Sequence, residues 1–343
     1  MLLKEDLNII SILYRNKISN HNLVVFEAKT LKKSIFFEMR VTNKKSIVEN
    51  DGLRILKKEY DIRKKIRNVF LVNFISSFHD LDFLYYITEI PKGGFFYYYL
   101  REREKFSKQI SKFYIAQIAL GIEYLHSKNI TYKLLTPDTI MLTKDGNIKL
   151  RFDFLNSYGL EENEFKTIIE YIPVDYVKDG IHIKASDFWS IGIILYEFLT
   201  GQTPFKGINY DDTVYKILSA PVNLNKITSS SARDLISKLL ERCTRNRLGG
   251  DENGFHDFKK HTFFKNLNWN DIAEGKIRAP IKTRIDSSFR INTLINIEEK
   301  YIPTLGQRDN DGYGSIFRFY GKKFLKDKDY TWQPSKNDKN IYL

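Results

Sequence analysis

Residues 7–14 (LNIISILY), 23–29 (LVVFEAK) and 34–42 (SIFFEMRVT) are runs of β-branched and aromatic residues parted by polar turns, a pattern that predicts three antiparallel strands. Residues 51–67 set Leu53, Ile55, Leu56, Ile62 and Ile66 among charges, as one amphipathic helix would. LVNFISSF (71–78) and DFLYYITEI (82–90) read as two further strands, and Pro91-Lys92-Gly93-Gly94 breaks the pattern. Beyond residue 95 the segments 108–127, 185–200 and 230–242 predict long helices, with a short strand pair around Ile140–Leu142 and Ile148–Leu150. Residues 265–343 are more polar and loop-like, punctuated by Phe317, Phe319, Tyr320 and Phe324, and predict a tail laid on the body. The expected fold class is α+β. A small β-rich lobe with one main helix covers 1–90, a larger, mainly α-helical lobe covers 91–264, and a C-terminal tail covers 265–343.

A hydrophobic content of 42% with 14% aromatics supports a packed core rather than disorder. The single cysteine, Cys243, excludes an internal disulfide framework and a Cys-based zinc site, and fits a reducing compartment. The opening MLLKEDLNIISILY carries acidic residues inside a short apolar run, which argues against a signal peptide or membrane helix. An intracellular chain, cytoplasmic or nuclear and without a membrane partner, is therefore expected. A net charge of +13 favours acidic partners, but the basic residues are scattered pairs and short runs such as Arg63-Lys64-Lys65. No zinc-finger, RNA-recognition or helix-turn-helix signature accompanies them, so nucleic acid is not the expected partner.

Five stretches in order carry a more specific signal. They are KKEYDIRKKI with Glu59, FYIAQIALGIEYLHSKNITY, ASDFWSIGIILYEFLTGQTPF with Asp187, Trp189, Gly192, Pro204 and Phe205, RCTRNRLGG, and HTFFKNLNW. Together with ITYKLLTPDT (130–139) they give residues 7–270 a resemblance to protein kinases of the cyclic-AMP-dependent type, in the AGC group. The resemblance implies a bilobal protein-kinase fold. It implies that Asp187 accepts backbone N–H bonds from the catalytic loop, and that Asp175 in YIPVDYV stands at the glutamate of the A-P-E motif with Arg247 as its partner. It also places Arg40, Glu59, Thr88 and Glu89 in a nucleotide cleft.

The chemistry-bearing positions depart from that family. Where the catalytic loop has an Asp that receives or orients the hydroxyl proton, a Lys that touches phosphate and an Asn that binds metal, this chain has Leu134, Thr136 and Thr139. The first glycine is Gly52, so the turn at 15–22 cannot be a glycine-rich phosphate loop. The strand Lys becomes Arg40, which either pairs with Glu59 or faces solvent, with Lys32 or Lys33 as a substitute charge. The metal-binding D-F-G reads as Phe152 without a gap or as Asp153-Phe154-Leu155 with one inserted residue. The glutamate that follows the hinge glycines is Phe95, and the activation-loop threonines become Glu164, which could pair with Lys133, and Ile168. Leu134 is expected to be repacked as core. The reading is a pseudokinase that binds a kinase, a regulatory subunit or a substrate, with ATP the only expected cofactor and magnesium held weakly or not at all. The alternative is a divergent active serine/threonine kinase that uses Asp153 for metal and Lys133 or Asp138 in improvised roles.

Overall fold

Five described strands before residue 90 pair into one antiparallel sheet. A computed structural model describes residues 7–18, 21–30, 36–49, 53–79, 83–151, 166, 168–250 and 253–283. The sheet comprises β1 (Leu7–Ile18), β2 (His21–Thr30), β3 (Phe36–Asn43), β4 (Phe74–His79) and β5 (Phe83–Glu89), in the order β1-β2-β3-β5-β4. In β3 the period of two puts Phe37, Met39 and Val41 on one face and Glu38, Arg40 and Thr42 on the other, and both sets are buried. The register sets Glu38 opposite Thr88 and Arg40 opposite Tyr86. Two helices accompany the sheet, α1 (Lys44–Glu49) and α2 (Leu53–Arg63).

Several boundaries differ from the sequence expectation: β1 runs on to Ile18 rather than 14, β2 spans 21–30 rather than 23–29, and the helix expected over 230–242 ends at Leu239. The main helix stops at Arg63 rather than at 67. The run 71–78 is not one strand, because Leu71 forms a parallel bridge with Leu150 and the Val72 N–H donates to the Leu150 carbonyl at 2.9 Å, so β4 starts only at Phe74. The described residues up to Ile66, with the described residues of Asn73–Ile90, accordingly form one compact unit, and Arg67–Val72 join the described residues between Pro91 and Thr283 in the other.

The larger unit is mainly helical. After the short strand β6 (Gly94–Phe95) come α3 (Phe96–Arg103) and α4 (Lys108–Ser127), then β7 (Ile140–Leu142) and β8 (Ile148–Leu150), which form the sheet β6-β7-β8. The remaining helices are α5 (Val174–Asp179), α6 (Lys184–Thr200), α7 (Tyr210–Ser219), α8 (Ser230–Leu239), α9 (Gly254–Lys260) and α10 (Trp269–Ala273). Every residue of α6 from Ala185 to Phe198 is buried, so it is the central element of the unit. Gly192 lets α8 approach, since a Cβ there would lie 2.9 Å from the Leu239 Cβ. Phe96, Phe106, Tyr114 and Phe198 pack their rings together and fix α3 and α4 on α6.

The run FYYYLRER of α3 escaped the helical reading because aromatic residues are poor helix formers, and α5, α7 and α9 are each ten residues or fewer. The start of the tail region is more ordered than a loop. Asn268 caps α10, the Tyr114 hydroxyl accepts from the Ile281 N–H at 3.3 Å and donates to the Gly146 carbonyl at 3.1 Å, and the Thr283 hydroxyl donates to the Lys144 carbonyl. Phe317, Phe319, Tyr320 and Phe324 lie outside the described residues. Among the described residues no helix is long and apolar enough to cross a membrane.

Candidate functional site

The loop between α4 and β7 is organised by one carboxylate. Asp187, in the first turn of α6 and 1% exposed, accepts from the Tyr132 N–H at 2.8 Å and the Lys133 N–H at 2.9 Å, and meets His126 Nε2 at 2.6 Å. These bonds hold Lys133 at a φ of 75°, a left-handed conformation that a side chain adopts only when its surroundings impose it. The Tyr132 hydroxyl donates to the Arg151 carbonyl at 2.6 Å, which ties the loop to the end of β8.

The neutral residues of the loop are committed within it. The Thr139 hydroxyl accepts from the Thr136 N–H at 3.1 Å, donates to the Thr136 carbonyl at 2.9 Å and lies 3.3 Å from the Leu134 carbonyl. Thr136 is buried. Leu134 is half-buried, whereas Leu135 is 1% exposed, so the expectation that Leu134 is repacked as core is corrected: its neighbour fills the core, and Leu134 keeps the half-exposed place that a reacting group would hold. Asp138 is exposed on the single helical turn Pro137–Thr139.

Deeper in the large unit, Asp175 on α5 receives a two-pronged bond from Arg247, Nη1 to Oδ2 at 2.6 Å and Nη2 to Oδ1 at 3.0 Å, with the Ser186 and Thr244 hydroxyls completing its shell. Burial alone would raise the Asp175 pKa, but the Arg247 guanidinium overrides it and holds the carboxyl below the usual carboxylate range. A second buried carboxylate, Glu197 of α6, was not singled out from sequence. Burial pushes its pKa up to about 7, against the lowering effects of the Tyr171 hydroxyl, at 3.0 Å, and of Arg101, at 3.4 Å, while Glu170 and Asp138 add to the rise. Phe95 pairs its backbone with Met141, and the Arg151 guanidinium carbon lies 5.6 Å from its ring centre.

In the small unit Arg40 is only 6% exposed, which removes the solvent-facing alternative, and its guanidinium carbon lies 6.0 Å from the Tyr86 ring centre. Glu59 meets Arg63 of its own helix at 2.8 Å. Thr88 is buried, and Glu89 Oε1 accepts from both the backbone and the side-chain nitrogens of Asn73 at 2.8 Å. Glu38 and Arg63 are buried polar residues that the sequence reading passed over, although both carried a signal. Glu38 shares its strand face with Arg40 at a spacing of two, and Arg63 follows Glu59 at a spacing of four. Gly52, Lys32, Lys33, Phe152, Asp153 and Glu164 lie outside the described residues, and so does the pairing of Glu164 with Lys133.

The protein kinase domain family matches residues 22–264. Similar proteins include the cAMP-dependent protein kinase catalytic subunit PRKX of Homo sapiens, 33% identical over 252 residues that make up 73% of this chain and 70% of that protein. The cAMP-dependent protein kinase catalytic subunit 3 of Drosophila melanogaster is 34% identical over 249 residues, 71% of this chain and 42% of that protein. Ribosomal protein S6 kinase alpha-1 of Homo sapiens is 31% identical over 264 residues, 75% of this chain and 36% of that protein. The match thus spans less than half of two of these three relatives. With a loop organised by Asp187, a bidentate Asp175–Arg247 pair and this extent of similarity, the chain belongs to the protein kinase family, with homology to its cAMP-dependent, AGC-group kinases.

Proposed function

We propose that this protein is a pseudokinase of the AGC serine/threonine type, which keeps the scaffold and acts by binding another protein. The observation that carries this reading is the catalytic loop. Its backbone is held by Asp187, yet Leu134 brings no base, Thr136 no cation, and the Thr139 hydroxyl is engaged on Thr136 in both its donor and its acceptor role. Magnesium prefers carboxylate and water oxygens in octahedral geometry, so a neutral hydroxyl already committed to its own loop does not fit that metal. Phosphoryl transfer relies almost wholly on positioning and electrostatics, and no step is left for these three side chains to perform.

The small unit supports the same reading. Two residues before its strand cation the family's V-A-I-K pattern has a small alanine, and this chain has the buried Glu38. A carboxylate beside the cation opposes a polyphosphate by like charge. The protein partner is of the regulatory-subunit, kinase or substrate class, and the basic surface suits an acidic one. The lobes divide near residue 90, the tail begins near 265, and the protein works inside the cell.

Thermal unfolding with millimolar ATP or ADP, with and without Mg²⁺ or Mn²⁺, tests the reading. A ligand present at about 100 times its dissociation constant stabilises by about 2.7 kcal/mol, which moves the midpoint by a few degrees at this size. The expected result is no metal-dependent shift. A shift seen only with metal would favour the active alternative, with Asp153 as the ligand.

A further inference from the structure

A carboxylate sealed among packed helices keeps its charge only as far as donors around it replace water. Glu197, in the last turn of α6, is fully buried, and among the described residues its oxygens meet two donors. The Tyr171 hydroxyl, at the end of the single helical turn Ile169–Tyr171, lies 3.1 Å from Oε1 and 3.0 Å from Oε2 and gives its one proton to either. Arg101 of α3 reaches Oε1 with Nη2 at 3.4 Å. A carboxylate accepts about four hydrogen bonds, so two donors, one of them distant, support its charge poorly. Glu170 and Asp138 oppose that charge from nearby, and Glu170 accepts from the Thr203 hydroxyl.

The two partners differ in freedom. The Glu197 side chain is 1% exposed and that of Arg101 47%. The Arg101 guanidinium carbon also lies 4.9 Å from the ring centre of Tyr97 on its own helix, which offers it a second resting place. The arginine can therefore enter or leave, whereas the carboxyl can only lose or take up a proton. Burial sets that event close to neutrality, at about 7, in spite of the lowering effects of Tyr171 and Arg101. We propose that Arg101, Glu197 and Tyr171 form a proton-operated clasp: with Glu197 ionised, Arg101 is drawn onto it and α3 is tied through α6 to the turn 169–171, and with Glu197 protonated, Arg101 withdraws to Tyr97 and solvent. The clasp does not depend on the absence of phosphotransfer and stands or falls separately from it.

NMR of the full chain, labelled at glutamate carboxyl carbons and arginine guanidinium groups, tests the clasp, with Glu197→Gln and Arg101→Met assigning the two signals. The wild-type Glu197 carboxyl is expected to titrate near 7. Arg101→Met should move that midpoint up by about half a pH unit, a change of about threefold in proton affinity, as fits a pair half open to water. Tyr171→Phe, which removes the other donor, should also move it up. In wild type the Arg101 guanidinium should be more restricted at pH 8.5 than at pH 5.5, and in Glu197→Gln equally restricted at both. If Glu197→Gln does not fold, the carboxyl that both Arg101→Met and Tyr171→Phe displace identifies Glu197, and these two variants carry the test. The proposal is overturned if Glu197 titrates in the ordinary glutamate range or stays protonated above pH 9, if Arg101→Met leaves its midpoint in place, or if wild-type Arg101 is equally mobile at both pH values.

Discussion

Asp175 has one methylene less than the glutamate of the family's A-P-E motif, and its carboxylate still takes both prongs of the Arg247 guanidinium. Because both groups are buried, removing either should cost about 3–5 kcal/mol, so Asp175→Ala or Arg247→Leu is expected to unfold at distinctly lower urea. Arg247→Lys, which cannot form the fork, should recover only part of that loss. Glu197 gives a prediction in pH. Its folded pKa is raised from 4.5 to about 7, so the stability it confers is fully present below 4.5 and is lost as pH rises through 7. Glu197→Gln, neutral at every pH, should therefore unfold at higher temperature than wild type at pH 8 and lose this part of the pH dependence. His182 acts with the opposite sign. Burial and the Lys133 charge hold its pKa down to about 4, so its contribution is lost as pH falls from 6.5 through 4. Comparing Glu197→Gln with wild type across the range isolates the carboxyl from the imidazole.

Elements such as β5 and the helix 184–200 could be read from their apolar runs because they are almost wholly buried. The helix 108–127 has Ser107 at its start, whose hydroxyl accepts from the Ile110 N–H, and Ser107→Ala should cost about 1 kcal/mol in thermal or urea unfolding. Elements were missed where local pattern and packing disagree. The aromatic run of α3 is helical because Phe96, Tyr99 and Leu100 are buried in the large unit, a reason that does not exist within the eight residues themselves. The start of the 71–78 run is decided by Leu150, nearly eighty positions away. Of the candidate site, Leu134, Thr136 and Thr139 were legible because ITYKLLTPDT keeps the motif's spacing, whereas the D-F-G position stayed open between Phe152 and Asp153. What each departed side chain does instead was not legible. That Thr139 turns its hydroxyl onto Thr136, and that Glu59 meets Arg63 of its own helix, depend on packing that the motif spacing does not show.

On the proposed reading, the molecule as a whole keeps those parts of a kinase that hold shape and changes those that do chemistry. The Asp187 loop anchor, the Asp175–Arg247 pair and the buried central helix lie within the region similar to the relatives. In the loop that Asp187 shapes, Leu134 and Thr136 stand where the family has a charged Asp and Lys, and Thr139 stands where it has a metal-binding Asn. The most direct test is a phosphotransfer assay on the full chain with labelled ATP and either Mg²⁺ or Mn²⁺, offered basic and acidic protein substrates, with Asp153→Asn as the control. Loss of a positioned base alone removes about 10² to 10⁴ in rate, and the other departures act in the same direction. The account predicts incorporation at background, indistinguishable between wild type and Asp153→Asn. Incorporation above background that Asp153→Asn abolishes would contradict it and establish an active, divergent kinase.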